Sequence, residues 1–312
     1  MTEFGLIDHI KGLCSALPTN SFEGIGDDCA IFEMSEEALL FTSDMLIERV
    51  HFLRDATSPY DLGRKSLAVN LSDVAAMGAQ PIATLLSLSI PKELTGGWIE
   101  EFMRGYTELS AEHGVALIGG DTTSAKTDLG VNVTAIGRCA KSNVKRRSAA
   151  KDGDVIFVSG LLGGSGAGLA DILEGRYDSR EAMIHKRPSA RVLEGVWLGG
   201  RSEVNAMMDI SDGVASDLRH ILKASSVGAQ IELSQIPHSD SVTLQQALCS
   251  GEDYELLFTV AAEEAQAIEL DYQRHFGKSL YPIGKIVAGD CDILWLQDGT
   301  PRDGDFRGFT HY

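Results

Sequence analysis

Apolar and polar positions along the chain change period several times. Residues 38–44 (ALLFTSD) begin apolar and turn polar, which predicts a strand running into polar residues. Residues 60–77 (YDLGRKSLAVNLSDVAAM) carry one apolar face at helical spacing, and Gly78 and Pro81 end the pattern. Residues 85–90 (LLSLSI) alternate as a half-buried strand does. A helix is predicted over Gly97–His113, stopped by Gly114, then a short strand over Val115–Ile118 that ends at Gly119-Gly120-Asp121. Val131–Arg138 alternates again. A polar, basic stretch, Lys141–Asp154, precedes a strand over 154–160 (DVIFVSG). Beyond it the pattern predicts helices over 189–198 and 214–223 and strands over 204–210, 230–233 and 254–260. Strands alternate with helices in both halves, so the fold class is α/β (α+β). The boundary is placed near residue 148, giving units of 1–148 and 149–312.

A length of 312 residues fits two such units. A hydrophobic fraction of 44% can fill two cores. The formal charge is −18, from 27 Lys and Arg against 45 Asp and Glu, and it repels phosphate backbones. Nucleic acid is therefore excluded as a partner. A phosphorylated ligand is compatible only if cations stand between it and the acidic chain. No stretch reaches the roughly 20 apolar residues of a membrane span. Residues 1–13 carry Glu3 and Asp8 and do not resemble a secretory signal. Cys14, Cys29, Cys139, Cys249 and Cys291 are odd in number, scattered and free of C-x-x-C spacing. They are expected as reduced, mostly buried thiols in a cytoplasmic protein.

The acidic residues gather in short knots flanked by Gly or Ser. These are Gly26-Asp27-Asp28, Thr42-Ser43-Asp44, Asn70-Leu71-Ser72-Asp73, Gly119-Gly120-Asp121 and Asp209-Ile210-Ser211-Asp212-Gly213. Several stand where a predicted strand ends, the usual ligand side of an α/β sheet. One such Asp alone is as well read as an N-cap or an Asx-turn. Five knots together point to hard oxygen ligands for Mg²⁺, whose charge would offset neighbouring carboxylates. The EF-hand spacing is absent. The segment Gly160–Gly168 follows a strand and opens a helix, but it matches neither G-x-G-x-x-G nor a Walker A loop. It is either a tight packing turn or a phosphate-facing loop. His51 follows the T-S-D knot, and Glu252-Asp253 precedes the last strand named above. No Ser-His-Asp or Cys-His order stands out, and the protein-kinase H-R-D and D-F-G motifs are missing, so a covalent nucleophile has no support.

Taken in order, these segments resemble a known family. They are Gly24-Ile-Gly-Asp-Asp-Cys-Ala30, Thr42-Ser-Asp44, Val50-His-Phe52, Ala68-Val-Asn-Leu-Ser-Asp-Val-Ala-Ala-Met-Gly-Ala79, Leu117-Ile-Gly-Gly-Asp-Thr-Thr123, Met208-Asp-Ile-Ser-Asp-Gly213 and Gly251-Glu-Asp-Tyr-Glu-Leu256. The chain resembles the thiamine-monophosphate kinases over residues 1–312, within the aminoimidazole ribonucleotide synthetase superfamily. The resemblance implies a two-domain fold with mixed sheets packed by helices. It implies transfer of a phosphoryl group from ATP to thiamine monophosphate, directly and in line, with several Mg²⁺ ions. It implies metal ligands at Asp28, Thr42, Ser43, Asp44, Asp73, Asp121, Asp209 and Asp212. It implies ATP contacts at Gly120, Asp121, Arg147 and Ser211, with Arg146 the adjacent alternative to Arg147. His51, Glu252 and Phe309 would contact the thiamine substrate. A homodimer joined through the N-terminal sheets is implied as well. Three departures leave every proposed ligand in place: Glu48-Arg49 precede the V-H-F segment, Ser250 replaces the first Gly before E-D-Y, and Ser43 replaces a Thr. Other readings are a different enzyme of the same superfamily and a catalytically silent Mg²⁺-nucleotide sensor.

Overall fold

A computed structural model describes residues 3–15, 17–94, 96–304 and 306–308. The first half of the chain runs α1 (Glu3–Leu13), β1 (Phe22–Glu23), β2 (Ala30–Glu33), β3 (Glu37–Ile47), α2 (Pro59–Ala76), β4 (Gln80–Pro91), α3 (Gly97–His113), β5 (Ala116–Ala125) and β6 (Gly130–Ala140). Two short 3₁₀ turns, Lys141–Asn143 and Arg147–Ala149, lead into the second half. There follow β7 (Val155–Val158), α4 (Gly164–Leu173), α5 (Arg180–Lys186), α6 (Val192–Gly199), β8 (Val204–Asp209), α7 (Val214–Ser225) and β9 (Gly228–Glu232). The chain continues with α8 (Leu244–Cys249), β10 (Leu256–Val260), α9 (Ala265–Phe276), β11 (Tyr281–Val287), β12 (Ile293–Gln297) and β13 (Thr300–Pro301).

The strands form two mixed sheets. One has six strands in the order β1-β2-β3-β6-β4-β5, in which only β4 and β5 pair parallel. The other has seven in the order β13-β12-β9-β11-β7-β10-β8, in which only β12 and β9 pair parallel. Helices α2 and α3 cover one face of the first sheet, where Leu62, Leu67, Leu71, Phe102 and Tyr106 pack on Leu86, Val131 and Val133. The second sheet is covered on both faces. Leu218 and Ile221 of α7 pack on Ile156, Val158 and Met208. On the opposite face Leu198 of α6 and Tyr272 of α9 pack on Phe157, Met207 and Phe258. Each large side chain so buried contributes about 1.5–3 kcal/mol relative to exposure.

Helix α2 lies between the two sheets. Its start is set locally: Ser58 caps it by accepting from the Asp61 amide at 3.1 Å, and Pro59 fits the first turn. Its Val74, with Met77 at its C-terminal cap, joins Ile31 and Leu40 on one side, and its Ala76 joins Phe157 and Met207 on the other. The helix is therefore buried almost all round, and its polar residues Lys65, Ser66, Asn70 and Ser72 are each no more than 1% exposed. Such residues have to be paired inside the protein.

Several boundaries differ from the sequence reading. The strand over 38–44 does not stop at its polar residues; β3 carries Thr42, Ser43 and Asp44 inside an eleven-residue pairing with β6. Likewise β5 continues through Gly119-Gly120-Asp121 to Ala125 because it pairs with β4 along that whole length. Tyr254 lies outside β10, since its backbone is left-handed at φ +52°. The five cysteines are free, but Cys14 and Cys291 are exposed and only Cys29 is fully buried, so "mostly buried" does not hold. No helix among the described residues is long and apolar enough to cross a membrane.

Candidate active site

Three of the five acidic knots meet in space. Carboxylate oxygens of Asp28, Asp73 and Asp209 all lie within 4.8 Å of one another. They come from the loop before β2, the last turn of α2 and the end of β8, so the cluster joins the two sheets through α2. Each carboxylate is held by a neighbour. Thr42 of β3 donates to Asp73 at 2.5 Å, and Ser72 donates to Asp209 at 2.5 Å. Arg147 pairs with one oxygen of Asp28, while the other, Oδ2, is buried without a hydrogen-bond partner. Asp44 is fixed through its backbone, whose amide donates to Asn70 Oδ1 at 3.0 Å and whose carbonyl accepts from Asn132 at 2.9 Å.

Close carboxylates in a dry place resist ionisation. Burial, then repulsion by Asp28, pushes Asp44 up to about 6. The same two causes push Asp209 up to about 8, although the Ser72 hydrogen bond opposes the rise. Burial, followed by the charges of Asp44, Asp209 and Asp28, carries Asp73 well above the usual carboxylate range. Burial also raises Asp28 despite Arg147. Burial alone would lower Arg147, but Asp28 outweighs it and the guanidinium stays firmly charged. The donor set is hard oxygen throughout, one buried oxygen lacks a partner, and the repulsion calls for a cation. This fits Mg²⁺ better than a softer metal.

The structure separates the two neighbouring arginines. Arg146 points outward to Glu23, at 2.7 Å, whereas Arg147 turns inward to Asp28, with its amide donating to Asp27 at 2.7 Å. Ser43 is exposed and bonds Thr134 at 3.0 Å. Asp121 is exposed on β5, the edge strand of the first sheet, and is not one of the three carboxylates that meet within 4.8 Å. Beside it, Gly120 has φ +149°, and a Cβ there would sit 1.7 Å from the Leu86 carbonyl, so no other residue fits the β4–β5 register. Asp212 is half-buried in the β8–α7 loop, its amide donating to the buried Asp217 at 3.1 Å.

The loops around Ser211 and Glu252 are laced together. The Glu252 amide donates to the Ser211 carbonyl at 2.7 Å, and the Tyr254 amide to the Ile210 carbonyl at 2.9 Å. Gly251 is required there, because a Cβ would lie 2.3 Å from the Ser211 carbonyl. The three acids that follow divide the work. Asp253 accepts from the Gly163 amide at 2.7 Å and the Ser165 amide at 3.3 Å, at the start of α4. The Gly-rich segment thus packs its helix N-terminus on the Asp253 carboxyl, which burial pushes up to about 7 against those two hydrogen bonds. Glu255 anchors the strand by accepting from Ser159 at 2.6 Å and Arg191 at 2.8 Å. Glu252 keeps 23% of its side chain exposed while pairing with Lys65 at 2.8 Å. His51 accepts from the Ile47 amide through Nδ1 at 3.0 Å. Phe309 lies outside the described residues.

Sequence reasoning passed over Lys65 and Asp217, and it named Asn70 and Ser72 only as neighbours of Asp73. For Lys65 the signal was a helix pattern interrupted by polar residues, and burial of α2 is what gives it partners; Asp217 is buried on α7, where it accepts from the Asp212 amide.

The family model described as "AIR synthase related protein, N-terminal domain" matches residues 26–139, and that described as "AIR synthase related protein, C-terminal domain" matches residues 151–296. Thiamine-monophosphate kinase of Escherichia coli (strain K12) is 39% identical over 305 residues, covering 93% of this chain and 91% of its own. The chain belongs to the thiamine-monophosphate kinase family. Thiamine-monophosphate kinase of Bacillus subtilis (strain 168) is 40% identical over 331 residues, with both chains covered fully, at 100%. A solved structure, AaThiL complexed with AMPPCP and TMP, superposes with a TM-score of 0.85 at 31% identity, covering 100% of this chain and 97% of that one. The two-sheet fold implied by the sequence resemblance is the fold observed.

Proposed function

We propose that this protein transfers the γ-phosphoryl group of ATP to thiamine monophosphate, yielding ADP and thiamine diphosphate. The observation that carries this reading is the convergence of Asp28, Asp73 and Asp209 within 4.8 Å in a member of this family. Asp28, Thr42, Ser43, Asp44, Asp73, Asp121, Asp209 and Asp212 would hold Mg²⁺ between them. When bound, Mg²⁺ supplies the positive charge that lets two phosphorylated substrates approach and that stabilises the transferring group. The protein's own residues do the positioning. Ser72, Thr42 and Asn70 fix the carboxylates, Arg147 is aimed at the same centre and serves ATP together with Gly120, Asp121 and Ser211, and no side chain acts as a covalent nucleophile.

His51, Glu252 and Phe309 form the thiamine side. Glu252 suits the cationic thiazolium or the aminopyrimidine, and an aromatic ring stacks on either. Gly308, the residue before Phe309 in sequence, lies against the Asp212 carbonyl and Ser216, which is consistent with this reading. The units 1–148 and 149–312 are the two domains of this reading, and the enzyme works in the cytoplasm. A homodimer is supported by β5, a sheet edge exposed over nearly its whole length, with Ile118 60% exposed.

The test is purified protein with ATP, Mg²⁺ and thiamine monophosphate, with product resolved by chromatography. Stoichiometric ADP and thiamine diphosphate are expected. ATP binding without any thiamine diphosphate would favour the silent nucleotide sensor instead.

A further inference from the structure

Lys65 is an anomaly of the fold. It is a lysine only 1% exposed, in the middle of the most deeply buried helix. Burying an ammonium group is unfavourable unless it is paired and hydrogen-bonded. Its partners are two residues from the other half of the chain, Glu252 Oε2 at 2.8 Å and His185 Nε2 at 3.4 Å. The ammonium can only donate, so His185 accepts through Nε2 and carries its proton on Nδ1. That Nδ1–H faces Ser165 Oγ at 2.9 Å and Glu252 Oε2 at 3.3 Å. One oxygen of Glu252 is thus gripped by α2 and approached by α5, while 23% of the side chain stays exposed.

The Glu252 backbone also needs such support. It is left-handed at φ +64°, and Tyr254 two residues on is left-handed at φ +52°; neither is glycine. Residues persist in this region when their surroundings over-determine them. The ladder from Ser211 and Ile210 fixes the main chain, and Lys65 fixes the side chain.

We propose that Lys65 is a positioning residue for substrate recognition, holding the Glu252 carboxylate toward the thiamine moiety from helix α2, with His185 as its support. This rests on the reading of Glu252 as a thiamine contact. A carboxylate must be ionised to attract a cationic ring, and burial works against that. Burial is the largest influence on Glu252 and raises it; Lys65, by its charge and its hydrogen bond, leads the opposing influences, and the carboxyl ends below the ordinary glutamate range. The charged and titratable groups facing Glu252 are therefore Lys65 from α2, His185 from α5, His51 from the segment after β3, and Asp253 and Tyr254 from its own loop. His185 is pressed down to about 4, by burial and then by Lys65, and so stays neutral near pH 7. Of these groups, Lys65 alone pairs a fixed positive charge with Glu252 at hydrogen-bonding distance.

The test uses the full-length enzyme with Lys65→Met, which keeps the stem and removes the charge. The KM for thiamine monophosphate is expected to rise at least 10-fold, with the KM for ATP within 2-fold of wild type. The pH profile of kcat/KM for thiamine monophosphate should gain a loss on its acid side, because an unpaired buried Glu252 protonates at higher pH. Adding Glu252→Gln to Lys65→Met should remove that new limb. Equal changes in both KM values, or an unchanged pH profile, would overturn the proposal. Should Lys65→Met fail to fold, His185→Ala is expected to raise the KM for thiamine monophosphate alone, by a few-fold; a parallel rise for ATP would overturn the proposal in the same way. Wild-type enzyme that makes no thiamine diphosphate would defeat the assigned reaction, whereas active wild type with an unaltered Lys65→Met variant would defeat this proposal only.

Discussion

Asp28 is gripped by Arg147 on one oxygen and left without a hydrogen bond on the other, while Asp73 and Asp209 crowd the same point. Without a cation this arrangement opposes folding, since burial and mutual repulsion both disfavour the charged forms. Function and stability therefore pull in opposite directions at these residues. Asp73→Asn is expected to lower kcat at least 100-fold, measured with saturating ATP and thiamine monophosphate. In metal-free buffer the same substitution should raise the melting temperature by a few degrees, on the order of 1 kcal/mol, as one repelling charge is removed. A melting temperature that falls would mean that the hydrogen bond from Thr42 matters more than the repulsion. At this scale the sequence was informative about residue type but silent about sharing: nothing in the spacing of Asp28, Asp73 and Asp209 shows that their oxygens meet, or that Arg147 rather than Arg146 turns inward.

The elements were more legible where a local signal set them. Helix α3 occupies Gly97–His113, the span its periodicity indicates, and α2 is bounded by Ser58, Pro59 and the Gly78 turn. The ends of β3 and β5 were not legible, because polar residues and glycines in a row look like a strand terminus. Pairing overrides that appearance: β3 is held by β6 over eleven residues, and β5 by β4 past Asp121. Two consequences reach the site. Thr42 and Asp44 are carried on a rigid strand rather than a loop, which keeps them in register with Asp73 and Asn70. Gly120 is likewise locked in the sheet, with its missing side chain replaced by the Leu86 carbonyl. Gly120→Ala is expected to cost about 2 kcal/mol or more of stability, read from urea unfolding, through backbone clash and a left-handed φ. A change below about 0.5 kcal/mol would show that β5 can shift away from β4 freely.

For the molecule as a whole, α2 is the piece that turns two sheets into one site. It carries Asp73 toward Asp28 and Asp209, Ser72 to Asp209, Asn70 to Asp44, and Lys65 to Glu252. The order of motifs along the chain was readable, and so was their family; the role of α2 was not, because a helix polar at several positions looks half-solvated until both of its sides are covered. The formal charge of −18 takes on meaning at this scale. Part of it is concentrated where cations and phosphates would be brought together, so the working complex is electrostatically unlike the free chain. In the function proposed above, the acidic centre passes a phosphoryl group straight from ATP to thiamine monophosphate. Rapid quenching of the protein mixed with γ-³²P-labelled ATP, thiamine monophosphate and Mg²⁺ tests it most directly. The expected result is label moving from ATP into thiamine diphosphate, abolished by EDTA, with none on the protein at any time. Label retained on the protein, or released only as inorganic phosphate, would contradict it.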